Sequence, residues 1–141
     1  MPTRTSKAQW KGPVPAGEGS VTLGSGAMDA PYGFKSRFES GAGTNPEELI
    51  AAAHASCYSM ALSLMLTQAG HPPTKVDTSA AVKIEKDGEG FTITESALTT
   101  RGEVPGMEEA TFKDFAEKAK QGCPVSKALS AVNITLDAAL G

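Results

Sequence analysis

The sequence predicts an α+β fold, on three observations. The first third is rich in glycine and proline between short β-prone pieces. A long uncharged run, Leu49 to Leu66, follows a helix-start signal. Two alternating segments then meet at a glycine turn, ahead of an amphipathic helix. Strands and helices come in the order β-β-β-α-β-β-α-α-β, and this partial segregation marks the α+β class.

Taken in order, Ala8–Lys11, Ser20–Leu23 and Gly33–Glu39 are expected as strands of a small antiparallel sheet with loose connections. Asn45-Pro46-Glu47-Glu48 then starts a helix. Asn45 suits the N-cap, Pro46 suits the first turn, and Glu48 can complete a capping box. Leu49, Ala53, Met60 and Leu64 recur at helical spacing with Cys57 on their side, which predicts a buried face. Gly70 and Pro72-Pro73 end that helix. Val76–Lys86 and Phe91–Leu98 read as a hairpin about the turn Asp87-Gly88-Glu89-Gly90. Thr111–Gln121 reads as an amphipathic helix, with Thr111 and Asp114 as an approximate capping box and Gly122 as its stop. Pro124 opens a short helix, Val125–Leu129, which leaves Cys123 near its N-cap. Ala131–Leu136 is the last expected strand.

Bulk properties narrow the function. At 141 residues the chain is expected to be one domain, 1–141, large enough for a core without staples. A net charge of -3 and a pI near 5.4 argue against a nucleic-acid partner, which needs a basic patch. Two cysteines are too few for a disulfide scaffold. Met1 to Gly19 shows no apolar signal-peptide core, so a cytoplasmic location is expected. Leu49–Leu66 stands at the lower edge of membrane-spanning length. Its histidine and serines, and its acidic rather than basic flank, favour a core helix over a membrane partner.

The chemistry-bearing residues are few. Cys57 is either a small core residue or a nucleophile. It lies too far from the start of its helix to be activated by the dipole, so a thiolate there needs another cation. Arg37 is the candidate, with an exposed strand arginine as the plain alternative. Glu47 and Cys57 are about 15 Å apart along the helix, so only a separate guanidinium could link them. Glu47 is then either an aiming device for that arginine or a favourable charge at a helix start.

Magnitudes limit what activation achieves. Lowering a thiol pKa from about 8.5 to about 6 raises the thiolate fraction at pH 7 roughly 30-fold. The accompanying loss of nucleophilicity returns roughly tenfold of that, by analogy with disulfide exchange. A peroxidase would therefore also need its guanidinium to position the O–O bond and stabilise the departing oxyanion. Cys123 could resolve a sulfenic acid on Cys57, or be a plain N-cap cysteine. His54 and His71 are too few for a zinc site with these cysteines, and no phosphate-binding glycine motif occurs. No metal or other cofactor is expected.

Two blocks carry a family resemblance. One is Pro31-Tyr32-Gly33-Phe34 with Ser36-Arg37-Phe38-Glu39, continuing through Gly43-Thr44-Asn45-Pro46-Glu47-Glu48-Leu49 to Ala53-His54-Ala55-Ser56-Cys57. The other is Lys118 to Ser126, around Gly122-Cys123-Pro124-Val125. The chain resembles the OsmC/Ohr family of thiol peroxidases, and more closely its OsmC branch, over nearly its whole length. The resemblance implies an OsmC-like fold of two small antiparallel sheets around a long central helix, in an intertwined homodimer. It also implies a peroxidatic Cys57, a resolving Cys123, thiolate activation by Arg37 and orientation of Arg37 by Glu47. Organic hydroperoxides, and less well hydrogen peroxide, would be reduced to alcohols in oxidative stress defence. A dithiol, such as a lipoylated protein, would return the disulfide to the dithiol state. Met60, Leu64 and Met65 are candidates for an apolar substrate pocket, though core packing explains them equally well. The rival reading is a redox sensor or binding protein that uses the same disulfide as a switch.

Overall fold

The computed structural model describes residues 1–141. In chain order it contains β1 (Ser6–Lys11), β2 (Glu18–Leu23), β3 (Asp29–Tyr32), α1 (Phe34–Phe38), α2 (Pro46–Gln68), β4 (Lys75–Asp87), β5 (Gly90–Glu103), α3 (Glu109–Gly122), α4 (Pro124–Ala128) and β6 (Asn133–Leu140). The α+β class is as expected. The chain divides into two compact units, Met1–Leu49 and Ile50–Gly141.

In the first unit β1, β2 and β3 form an antiparallel sheet in that order. The expected third strand, Gly33–Glu39, is corrected: β3 ends at Tyr32, and Phe34–Phe38 is the short helix α1. Residues four apart share a face in a strand and in a helix, so the Phe34/Phe38 spacing did not discriminate. Ser36 decides it locally, because its hydroxyl accepts the Gly33 N–H at 2.9 Å and closes the turn. The two phenyl rings then meet with centroids 5.1 Å apart.

Asn45 starts α2 as expected, accepting the Glu48 N–H on its Oδ1 at 2.7 Å. The Glu48 carboxylate, however, takes the Thr44 hydroxyl at 2.7 Å, so the capping box gains a different partner.

In the second unit β4 and β5 form a long antiparallel hairpin, from Lys75↔Glu103 to Asp87↔Gly90. Its loop is Gly88-Glu89, with Gly88 at φ 61°, a conformation that glycine supplies without steric cost. β6 pairs with β5 in parallel, Glu95↔Asn133 through Gly102↔Leu140. That corrects the expectation of two purely antiparallel sheets. A parallel neighbour needs a long crossover, and α3 and α4 provide it.

The core of this unit follows three periodicities. On α2, His54, Tyr58, Leu62 and Leu66 are buried at every fourth position. On β5, Ser96, Leu98, Thr100 and Gly102 alternate inward, and Val104 just past the strand is buried too. On α3, Phe112, Ala116 and Ala119 are buried and lead to Cys123. The expected buried face of α2 is therefore corrected. Met60 and Leu64 are 78% and 57% exposed, and the seam runs through His54 and Tyr58 instead. The apolar residues of this helix cover most of its circumference, so periodicity could not choose between faces. Polar bonds set the rotation: Tyr58 Oη donates to Ala116 O at 2.9 Å, and Ser59 Oγ bonds Thr78 Oγ1 at 2.8 Å.

Thr111 lies inside α3, whose N-cap is Glu108, so the capping box proposed there is also corrected. The last strand runs to Leu140, beyond the expected end at Leu136.

Candidate active site

Helix α2 is long and apolar enough to cross a membrane by length and composition. Its buried polar side chains have a different use. His54 is fully buried, with Nδ1 2.7 Å from Ser96 Oγ and Nε2 2.8 Å from Ser126 Oγ. One turn further along, Cys57 presents its sulfur to Cys123, at an Sγ–Sγ distance of 3.1 Å. The two cysteines, far apart in sequence, are thus neighbours in the fold. Both are free thiols.

Cys123 reaches this position because α3 ends at Gly122 and Pro124 begins α4, leaving Cys123 as the N-cap of the second helix. The helix start sets its electrostatics. Burial pushes the thiol up, but the backbone N–H of Ser126, the Cys57 thiol, the Ser126 hydroxyl and the Val125 N–H outweigh it. The net direction for Cys123 is downward. Cys57 goes the other way: burial raises it, the Val125 N–H opposes, and the neighbouring Cys123 raises it further. The two directions are opposite: the donors around Cys123 favour its thiolate, and burial disfavours one at Cys57. A Cys57 thiolate needs a cation that these neighbours do not supply.

The first unit holds a guanidinium fixed in place. Arg37 Nε and Nη2 donate to Glu47 Oε1 and Oε2 at 3.0 and 3.2 Å, a two-pronged pair. Glu47 is 6% exposed, so the carboxylate is an anchor rather than a surface charge. The Arg37 Cζ lies 5.4 Å from the centroid of the Phe38 ring. Asn45 Nδ2 donates to Ser36 O at 2.9 Å, tying α1 to the start of α2. Beside Arg37 is an open, largely apolar pocket of about 230 Å³, lined by Trp10, Val14, Tyr32, Gly33, Phe34 and Phe38.

Of the pocket residues expected from sequence, Met65 packs against the core. Met60 and Leu64 lie on the exposed side of α2. The aromatic pocket was missed, although Trp10, Tyr32, Phe34 and Phe38 were visible in the sequence. The hydrogen-bonded role of His54 was missed as well. The available signal was an imidazole in an otherwise apolar helix, one turn before a cysteine, with Ser126 just past the second cysteine.

A pair of free thiols joined by a 3.1 Å hydrogen bond, one favoured and the other disfavoured as a thiolate by its surroundings, suits a dithiol redox protein on an α+β scaffold. The comparisons give the family. Residues 39–137 match the family described as OsmC-like protein, and the chain belongs to it. It is 52% identical to the peroxiredoxin OsmC of Escherichia coli strain K12, over 95% of this chain and 94% of that protein. It is 36% identical to the organic hydroperoxide resistance protein of Xanthomonas axonopodis pv. citri, over 68% of this chain and 67% of that one. Among solved structures, an organic hydroperoxide resistance protein from Elizabethkingia anophelis superposes with a TM-score of 0.76 at 26% identity, covering 97% and 96% of the two chains. OhrB of Bacillus subtilis gives 0.72 at 25% identity, covering 97% and 98%.

Proposed function

We propose that this protein is a cysteine-based peroxidase that reduces organic hydroperoxides, and less efficiently hydrogen peroxide, to defend the cell against peroxide stress. The observation that carries the reading is the 3.1 Å contact between Cys57 and Cys123. Relatives named peroxiredoxin and organic hydroperoxide resistance protein support it.

In this reading the Cys57 thiolate attacks the terminal peroxide oxygen. The S–O bond forms as the O–O bond breaks, and the alkoxide leaves with a proton as the alcohol. Cys57 is left as a sulfenic acid. Cys123 then forms the disulfide with it and water departs. An external dithiol, of the kind carried by lipoylated proteins, reduces the disulfide. Arg37 stabilises the Cys57 thiolate and the departing oxyanion, and Glu47 aims it. No metal or organic cofactor takes part.

The protein acts as a homodimer in the cytoplasm. The exposed Met60 and Leu64 on α2 support a second copy, because a contiguous apolar helix face is a costly surface to leave in water.

The test is steady-state reduction of tert-butyl hydroperoxide and hydrogen peroxide by reduced protein, with dihydrolipoamide and then thioredoxin as electron donor. Turnover that prefers the organic peroxide and the lipoyl dithiol is the expected result. Absence of turnover with either peroxide, in protein whose thiols are confirmed reduced, would overturn it.

A further inference from the structure

Cys123 is linked to an interior chain of polar groups that the peroxidase reading does not require. Ser96 Oγ, His54 Nδ1, His54 Nε2 and Ser126 Oγ follow one another at 2.7 and 2.8 Å. Cys123 is the N-cap of α4, Ser126 stands three residues on in its first turn, and the Ser126 hydroxyl favours a lowered Cys123 thiol pKa. Ser96 and His54 are fully buried and Ser126 is 5% exposed, so water does not compete for these bonds.

Each serine hydroxyl has one proton, and neutral imidazole has one N–H. If Ser126 gives its proton to the Cys123 sulfur, its oxygen must accept from His54 Nε2–H. Nδ1 is then an acceptor, and Ser96 donates to it. The opposite tautomer would turn the Ser126 proton towards His54 and leave none for the sulfur. Burial also lowers the His54 pKa, which keeps the ring neutral and the chain directional.

We infer that His54 is a positioning residue for the resolving step: held as the Nε2–H tautomer by Ser96, it aims the Ser126 hydroxyl at Cys123 and stabilises that sulfur as the attacking thiolate. This rests on Cys123 being the resolving thiol. In the step itself the Cys123 sulfur attacks the Cys57 sulfenic sulfur. The S–S bond forms as the S–O bond breaks, and the S–O electron pair leaves with oxygen. That oxygen takes up the proton released by the Cys123 thiol, and water departs. The titratable groups facing Cys123 are Cys57 and Tyr58, both from α2. The remaining groups on its sulfur are neutral donors of α4.

Two measurements test the inference without requiring turnover. Heteronuclear NMR of ¹⁵N-labelled reduced protein assigns the His54 tautomer in the unaltered chain. The proton is expected on Nε2, and a proton on Nδ1 overturns the proposal. Thiolate absorbance then follows the titration of Cys123 in Cys57→Ser protein, with and without Ser126→Ala. Removing the hydroxyl should raise the Cys123 midpoint by about one pH unit, tenfold in proton affinity, the size of one hydrogen bond to a charged group. His54→Gln should raise it in the Cys57→Ser protein but add nothing once Ser126 is alanine. Superimposable titrations overturn the inference. Failure of the resolving reading shows separately, as unchanged disulfide-linked turnover in Cys123→Ser.

Discussion

Cys57 Sγ and Cys123 Sγ are 3.1 Å apart, so a disulfide of about 2.05 Å needs a closure of only about 1 Å. One equivalent of cumene hydroperoxide should therefore convert reduced protein to an intramolecular disulfide, detected by peptide mass mapping without reductant. Cys57→Ser should abolish peroxide consumption. Cys123→Ser should consume one equivalent, hold a sulfenic acid that dimedone traps, and over-oxidise under excess peroxide. A mapped intermolecular Cys123–Cys123 linkage would contradict this order of events.

Arg37 owes its orientation to two bonds from one buried carboxylate. Arg37→Ala should lower the second-order rate of Cys57 oxidation roughly a hundredfold, as loss of a preorganised oxyanion donor does elsewhere. Arg37→Lys should recover only part of this, because an ammonium keeps the charge and loses the fork. Glu47→Gln should fall between the parent and Arg37→Ala. Stopped-flow oxidation kinetics check the order, and equal rates in all four proteins would refute it.

His54 gives a signed pH dependence. Its pKa is lowered in the folded protein from an ordinary 6.5, because burial disfavours the charged ring. Below pH 6.5 the unfolded chain takes up a proton that folded His54 still refuses. The associated stability is complete above that pH and is lost as pH falls towards the folded value. Urea midpoints measured from pH 7.5 to 5 should show this decline in the parent and a shallower one in His54→Gln.

Two core substitutions should separate packing from hydrogen bonding. A Cβ at Gly102 would lie 2.5 Å from Cε1 of the buried Phe112 ring. Gly102→Ala should cost about 1–3 kcal/mol by overpacking. Tyr58→Phe leaves the Ala116 carbonyl without its 2.9 Å partner and should cost a similar 1–3 kcal/mol or so. Equilibrium denaturation checks both, and a neutral Gly102→Ala would show that the β5–α3 contact is loose.

Association should depend on the exposed face of α2. Leu64→Glu combined with Met60→Lys should move the protein from dimer to monomer in light scattering. Every 1.4 kcal/mol or so lost is a tenfold weakening. An unchanged molar mass would place any dimer contact elsewhere.

The sequence by itself determined the elements whose signals are local. Asn45-Pro46 started α2, Asp87-Gly88-Glu89-Gly90 turned the hairpin, and Cys123-Pro124 divided two helices. Each depends on a residue type acting on its own backbone. Cys57, Cys123, Arg37 and Glu47 could be singled out as candidates from sequence because few side chains can do thiol–peroxide chemistry. Only the tertiary structure decided which face of α2 is buried, since its apolar residues go nearly all round. It also decided that Phe34–Phe38 is helical, because a spacing of four suits both periods, and that β6 runs parallel to β5, because strand direction depends on a crossover. The contact between the two sulfurs, and the buried bonds from His54 to Ser96 and Ser126, join segments distant in the chain. Such contacts follow from how the elements pack, and residue spacing along the chain does not encode them.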